Sequence, residues 1–463
     1  MLSQVERFFV DGLAHASYLI IHGSEAAVVD PKRDVDDYLQ FANQRGARIK
    51  AVLNTHPHAD FASGFMELAE KTGATIYTSH LAPVQYPHHA ARDQDLVSLD
   101  GAHIRILETP GHSPDSLSFV LEEGAPLALF TGDLLFVGDV GRPDLRDADA
   151  DPTSLAGQLY DSLFQKVLQL PETVRVYPAH GAGSLCGRAI ASAEFSTVAA
   201  ERENNWALQL TDRETFVREM ISNLPDRPAY FAYDVGVNLK GAPPWKRLPE
   251  IPQSDADAIV RAQAQGASIL DLRAASQFGQ GHLKGSLNIG LESPLFSTWT
   301  GFFISGAKPI YLVAQDLKEI SRARLELARI GFDQIVGYLL AEHLPDRLYQ
   351  TTQVAACDLR DRLNTKTVDQ LMDVRTCGER KVSHIESSIH IPLPRLLSNL
   401  QTLDPTLPIV VYCGSGYRSA IAASLLEASG FSQITNLMGG MHAWENHPCD
   451  GLNPAELVFA TEA

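Results

Sequence analysis

Thr55–Gly64 reads THPHADFASG and follows the apolar run AVLN at 51–54. Two histidines and an aspartate at this spacing, leaving the end of a predicted strand, look like the first half of a metal site. Imidazole nitrogen and carboxylate oxygen are the donors that iron, zinc and manganese accept. The position that would complete H-x-H-x-D-H is Phe61, and a phenyl ring has no lone pair to donate. The metal chemistry therefore turns on what the rest of the chain supplies.

Three further clusters follow predicted strands: His112 in TPGHSPDS, Asp133 in FTGDLLF and His180 in YPAHGAGS. Loops that leave one edge of a sheet can converge on a point, which is how distant residues build a site on a rigid scaffold. The runs YLII, AAVVD, IKAVLNT, TIYT, HIRILET, LSFVLE, LALFTGD and VRVYP read as strands. Segments 34–46, 63–72 and 154–169 carry apolar residues at helical spacing. The pattern predicts a two-layer or four-layer α/β plan over the first 240 or so residues.

At 463 residues the chain is too long for one core, and about three domains are expected. Its net charge of −18 disfavours nucleic acid or an anionic membrane surface as partner and points to small substrates. Five cysteines in so long a chain, without dense spacing, suit a reducing compartment. Glu6, Arg7 and Asp11 interrupt the segment a signal peptide would need, and no apolar run reaches the length of a membrane span. These features predict a cytoplasmic protein, and a homo-oligomer is expected.

GAPPWKRLPEIPQ at 241–253 holds four prolines and marks a linker. Beyond it the chain repeats itself. SILDLRAASQFGQGHLKGSLNIGLES (268–293) is echoed by LMDVRTCGERKVSHIESSIHIPLP (371–394). PIYLVAQDLKEISRARLELARIGF (309–332) is echoed by PIVVYCGSGYRSAIAASLLEASGF (408–431). The expected domains are 1–245, 254–348 and 354–455, the last two being copies of one strand-helix module.

The four clusters in order resemble the metallo-β-lactamase fold, whose pattern is H-x-H-x-D-H, then G-H, then a bridging aspartate, then a last histidine. The resemblance covers about the first 240 residues and implies an αββα sandwich. In the dinuclear hydrolases of that fold, such as glyoxalase II, the D-H pair serves the second metal. Here that pair is Asp60-Phe61, so a second site is expected to be weak or absent.

The persulfide dioxygenases of the same fold bind one iron through three residues that map onto His56, His112 and Asp133. HADFASG and the GRPD segment at 141–144 are similar to that family, and so is the domain order. The resemblance implies one Fe(II) per chain and oxidation of a small thiol persulfide by O2 to sulfite and the free thiol. Two imidazoles and one carboxylate on one face of the metal leave positions for substrate and O2. His58, Asp60, His180 and Arg142 would orient ligands, move protons or contact substrate. For His58 a packing role, and for Asp60 a helix N-cap role, remain open. Cys186 could carry a persulfide near the metal or be a small buried residue. His15, His22, His80, His88 and His89 match no motif and are expected to be ordinary histidines.

CGSGYR, comprising Cys413, Gly414, Ser415, Gly416, Tyr417 and Arg418, lies between the strand PIVVY and a helical run. A cysteine at such a turn is ringed by N–H groups and a helix N-terminus, which favours the thiolate and accommodates an anion. The loop resembles the rhodanese motif C-x-x-G-x-R. This implies that Cys413 takes up a sulfane sulfur and passes it on, while Arg418 closes the loop and binds the anionic partner. Four residues between Cys413 and Arg418, against five in cysteine phosphatases, favour sulfur over phosphate. One departure is Ser383, where many rhodaneses have glycine. In the first copy Ala314 replaces the cysteine, so 254–348 is expected to be non-catalytic. Cys357, Cys377 and Cys449 are expected to be structural.

Three readings compete. The first is a persulfide dioxygenase whose sulfite accepts the sulfur on Cys413 to give thiosulfate. The second is a zinc-dependent thioesterase of the glyoxalase II type with an accessory sulfurtransferase domain. The third is a regulatory or sulfur-carrier protein on an inert scaffold, against which the intact His56, His112 and Asp133 set argues.

Overall fold

Strand His15–His22 is buried on both faces, and each face meets a different partner. In the computed structural model, which describes residues 2–145, 151–222, 224 and 226–446, Ala16, Tyr18 and Ile20 join Phe119, Leu121 and Phe130 in one apolar cluster. Leu19 and Ile21 join Tyr38 and Leu68 in another. Side chains alternate along a strand, so an unbroken apolar run such as YLII signals burial on both sides.

The same alternation organises both halves of the first domain. One sheet runs Gln4–Val10, His15–His22, Glu25–Val29, Arg48–Leu53, Thr75–Ser79, His89–Ala91. The other runs Ser196–Thr197, Arg175–Pro178, Pro126–Gly132, Leu117–Glu122, Ala102–Glu108, Leu96–Leu99. The sheets pack face to face through the Tyr18 and Phe130 cluster. Helices Asp36–Gln44 and Phe65–Thr72 cover the first sheet. Pro152–Gln165, Val198–Asn204 and Arg213–Ile221 cover the second through Leu159, Leu163, Val198 and Phe216. This is the four-layer αββα alternative of the two that the sequence pattern allowed.

Two compact units divide the chain, Met1–Pro249 with Leu327–Asp333, and Glu250–Glu326 with Gln334–Ala463. The border at Pro249 falls inside the proline-rich stretch. In the first unit the Arg329 carbonyl accepts the Ala62 N–H at 2.7 Å, and the Arg329 guanidinium pairs with Asp34.

The second unit contains two parallel sheets. In one, Ser268–Asp271 lies between Leu287–Asn288 and Ile310–Ala314, with Ile335–Leu340 outside. In the other, Gln370–Asp373 lies between Ile389–His390 and Ile409–Tyr412, followed by Ile434–Leu437 and Thr352–Val354. The shared order of four strands is the structural form of the sequence repeat. Residues 447–455 of the last expected domain, Cys449 included, lie outside the described residues. Among the described residues no helix is long and apolar enough to cross a membrane.

Candidate metal centre and sulfur-transfer loop

The four clusters do converge. His56, His58 and Asp60 follow strand Arg48–Leu53, His112 follows Ala102–Glu108, Asp133 follows Pro126–Gly132 and His180 follows Arg175–Pro178. Two glycines make the approach possible. Gly132 has φ +54°, and a Cβ there would come within 2.5 Å of Thr55 Oγ1. Gly111 has φ +150°, and a Cβ there would meet the backbone of helix residue Leu159 at 2.4 Å. The glycine of the G-H pair thus lets the helix close over His112.

The ligand atoms of His56, His112 and Asp133 lie within 4.8 Å of one another, and all three residues are buried. Asp133 Oδ2 is 3.8 Å from His56 Nε2 and 3.6 Å from His112 Nε2. Neighbours set the tautomers. His112 Nδ1 is 2.9 Å from the Arg142 carbonyl, which can only accept, so Nδ1 carries the proton and Nε2 the lone pair. Thr55 Oγ1 donates to Asp30 Oδ2 and is thereby left to accept from His56 Nδ1 at 3.0 Å. Both histidines therefore turn lone pairs toward Asp133 Oδ2, a buried carboxylate oxygen that accepts no hydrogen bond among the described residues. A buried charge needs compensation, and two nitrogens with one oxygen suit a divalent transition metal. The residues fit such an ion.

His180 lies behind Asp133. Its Nδ1 donates to Asp133 Oδ1 at 2.7 Å, and its Nε2 is 2.7 Å from Asp60 Oδ2, an ion pair off the ring N–H direction. Burial opposes charge on His180, but Asp133 and Asp60 outweigh it and raise its pKa well above the usual value. Burial likewise works against ionised Asp133, yet His180 and then His112 and His56 hold its carboxyl well below the usual range. His112 is shifted down by burial, in part offset by Asp133.

Phe61 is 1% exposed and stacks on His15 with centroids 3.7 Å apart, 4.4 Å from His58. A second trio, His58, Asp60 and His180, also brings its ligand atoms within 4.8 Å. Loss of the histidine at 61 thus does not by itself empty that side of donors.

Cys186 is buried, and its sulfur shares a 4.8 Å cluster with Asp133 and His180. Burial, reinforced by Asp60 and Asp133, raises its pKa and keeps it a thiol. Arg142 is fully buried. Its guanidinium donates to Asp144 and the Leu185 carbonyl, and its own carbonyl orients His112.

Three further residues at the site belong to no sequence motif. His15, expected to be an ordinary histidine, is instead buried at the site, with burial pushing its pKa well down. Asp30 receives Thr55 through both backbone N–H and hydroxyl. Asn238 accepts from Ser63 N–H at 2.9 Å and donates to the carbonyls of His58 at 2.8 Å and Phe61 at 2.7 Å, clamping the ligand loop. Nothing in a single sequence marks a lone Asn in a helix more than 170 residues away as a loop clamp.

In the second unit Cys413 directly follows strand Ile409–Tyr412 and is buried. Its sulfur accepts from Gly416 N–H at 3.1 Å and from Ser419 Oγ at 3.4 Å. The Cys413 and Gly414 carbonyls accept from Met441 and His442 N–H. Arg418 binds Glu379 through both terminal nitrogens, at 2.8 and 2.6 Å. Burial would raise the pKa of Glu379, but this pairing lowers it to about 2. Arg418 thus closes the loop onto the turn at Thr376–Glu379, and an anionic partner would share it with Glu379. In the first copy Glu319 stands at the place of Arg418 and accepts from Gln315 N–H. Cys377, expected to be structural, is exposed at the start of helix Cys377–Val382 and packs into no core.

Two family patterns match the chain, the metallo-beta-lactamase superfamily over residues 10–180 and the rhodanese-like domain over residues 355–447. The hydroxyacylglutathione hydrolase of Francisella tularensis subsp. novicida (strain U112) is 32% identical over 179 residues, which is 38% of this chain and 67% of that protein. A metallo-beta-lactamase crystal structure from Staphylococcus aureus subsp. aureus COL is 31% identical with a TM-score of 0.66, covering 73% of this chain and 99% of that chain. The crystal structure of ETHE1 from Myxococcus xanthus is 30% identical with a TM-score of 0.44, covering 51% of this chain and 97% of that one.

Proposed function

Because this chain belongs to the metallo-β-lactamase superfamily and carries a rhodanese-like domain, we propose that it is a persulfide dioxygenase coupled to sulfur transfer. The substrate is a small thiol persulfide, R–S–S⁻. With one O2 and one water it yields the free thiol, sulfite and a proton. The observation that carries the reading is the buried set of His56, His112 and Asp133, whose facing carboxylate oxygen is without a hydrogen-bond donor among the described residues.

A bound Fe(II) would supply redox chemistry and open positions for substrate and O2. The protein supplies the rest. The Arg142 carbonyl and Thr55 hydroxyl hold the two imidazoles in the tautomer that donates from Nε2. His180 fixes one oxygen of Asp133 and so leaves the other to hold the metal when it is bound. The positive charge of His180, held between Asp133 and Asp60, offsets part of the negative charge that these two carboxylates bring to the site. Cys186, a buried thiol beside Asp133 and His180, lines the site.

At the other site Cys413 would hold a sulfane sulfur as a persulfide and pass it to sulfite. The sulfite attacks the outer sulfur, the Cys413 S–S bond breaks and its electron pair returns to Cys413. The product is thiosulfate. The copy at 254–348, with Ala314 in place of the cysteine, is non-catalytic in this reading.

A second reading is a zinc-dependent thioesterase of the glyoxalase II type, favoured by the His58, Asp60 and His180 trio and by the hydroxyacylglutathione hydrolase relatives. It requires His180 Nε2 to leave Asp60 for a second metal. Metal analysis with oxygen uptake separates the two. About one iron per chain and persulfide-dependent O2 consumption support the dioxygenase, whereas about two zinc ions with thioester hydrolysis overturn it.

A further inference from the structure

The helix that begins inside the sulfur-transfer loop, Tyr417–Ala428, is buried at every position from Ser419 to Leu426. A helix buried all round lies between two partners. One is its own sheet, at strands Ile409–Tyr412 and Ile434–Leu437. The other is the preceding module, within the same compact unit.

Tyr417, Ser424 and Glu427 share one helical face by their spacing. The Tyr417 hydroxyl donates to the Gly290 carbonyl at 3.0 Å, and Ser424 Oγ accepts from Asn288 N–H at 3.1 Å. Glu427 accepts from His282 Nε2 at 2.9 Å and from Gly285 N–H at 3.3 Å. All four partners lie between His282 and Gly290, in the copy that has no nucleophile.

We propose that Tyr417 is a positioning residue for Cys413, tethering the sulfur-transfer loop to the non-catalytic copy through Gly290. This rests on the sulfurtransferase reading of the loop. Two donors to Cys413 Sγ, Gly416 N–H and Ser419 Oγ, flank Tyr417 by one and two residues. The opposite side of the loop is held by Met441 and His442 within its own module. One side of the sulfur cradle is therefore set by its own domain and the other by its neighbour. Donors fixed before reaction stabilise charge on sulfur at no reorganisation cost. Releasing Tyr417 loosens them while leaving the approach of the substrate unchanged.

The test is steady-state transfer from thiosulfate to cyanide by the full chain. In its first step Cys413 attacks the outer sulfur of thiosulfate, and sulfite leaves with the electrons of the broken S–S bond. Tyr417→Phe is expected to lower kcat about three- to tenfold, the loss of one hydrogen bond, with KM for thiosulfate and Tm nearly unchanged. Glu427→Gln, on the same face but far from the sulfur, is expected to lower Tm while leaving kcat unchanged. Unchanged kcat in Tyr417→Phe overturns the proposal. So does a fall in kcat that merely tracks a fall in Tm in both variants. Transfer that survives in Cys413→Ser overturns the sulfurtransferase reading itself, and this inference with it.

Discussion

His180 donates from Nδ1 to Asp133 Oδ1 at 2.7 Å, and Asp133 Oδ2 is thereby left to face the Nε2 atoms of His56 and His112. One residue decides which carboxylate oxygen would face a bound metal. Replacing His180 with Ala should weaken metal binding about 10- to 100-fold, the usual cost of losing a group that orients a ligand. Chelator competition checks it, and unchanged affinity would mean that Asp133 needs no such support.

Phe61 fills the place of a metal-binding histidine and stacks on His15. Phe61→His restores H-x-H-x-D-H beside Asp60 and His180. Metal content after reconstitution with excess zinc should rise from about one to about two ions per chain. Content that stays at the wild-type value would place the obstacle elsewhere, in the hold of Asp60 on His180.

Asn238 makes three buried hydrogen bonds to the ligand loop. Asn238→Ala removes them and leaves two carbonyls and an N–H without their partner. A loss of about 2–4 kcal/mol is expected, read from urea denaturation of the full chain. A loss below about 1 kcal/mol would mean that water replaces the amide.

Glu379 has its pKa lowered to about 2 by Arg418, against an ordinary value of 4.5. A carboxylate depressed in the folded state stabilises fully above its unfolded pKa and loses that contribution as pH falls through the folded one. Wild type should therefore exceed Glu379→Gln in stability by a constant amount above about pH 5, with the gap closing between about pH 4.5 and 2. Because the side chain is 35% exposed, the gap should be only about 1 kcal/mol. Thermal melts across this range check it, and a gap that persists at pH 2 would rule out this ion pair as its source.

The two sites should fail independently. His112→Ala should abolish persulfide-dependent O2 uptake and spare sulfur transfer, whereas Cys413→Ser should do the reverse. Loss of both activities in either variant would contradict separate chemistry at the two sites.

Much of this was legible in the sequence because it is local. Runs such as YLII and LSFVLE read as strands because both faces are buried. The metal clusters stand out because each sits just past a strand end. The repeat shows because two copies of a module keep the same strand order. Strands Gln4–Val10 and Leu96–Leu99 are not legible in the sequence because their exposed positions break the apolar run.

The sequence by itself determined the fold class, and it marked the candidate metal donors and the loop between Cys413 and Arg418. Each depends on residue type and short spacing. Only the tertiary structure decided that His15 belongs to the site, that Asn238 clamps its loop, that His180 turns Asp133 and that Tyr417 reaches Gly290. Those relationships join residues from 47 to 180 positions apart. They are set by how sheets and helices pack, which no local spacing encodes.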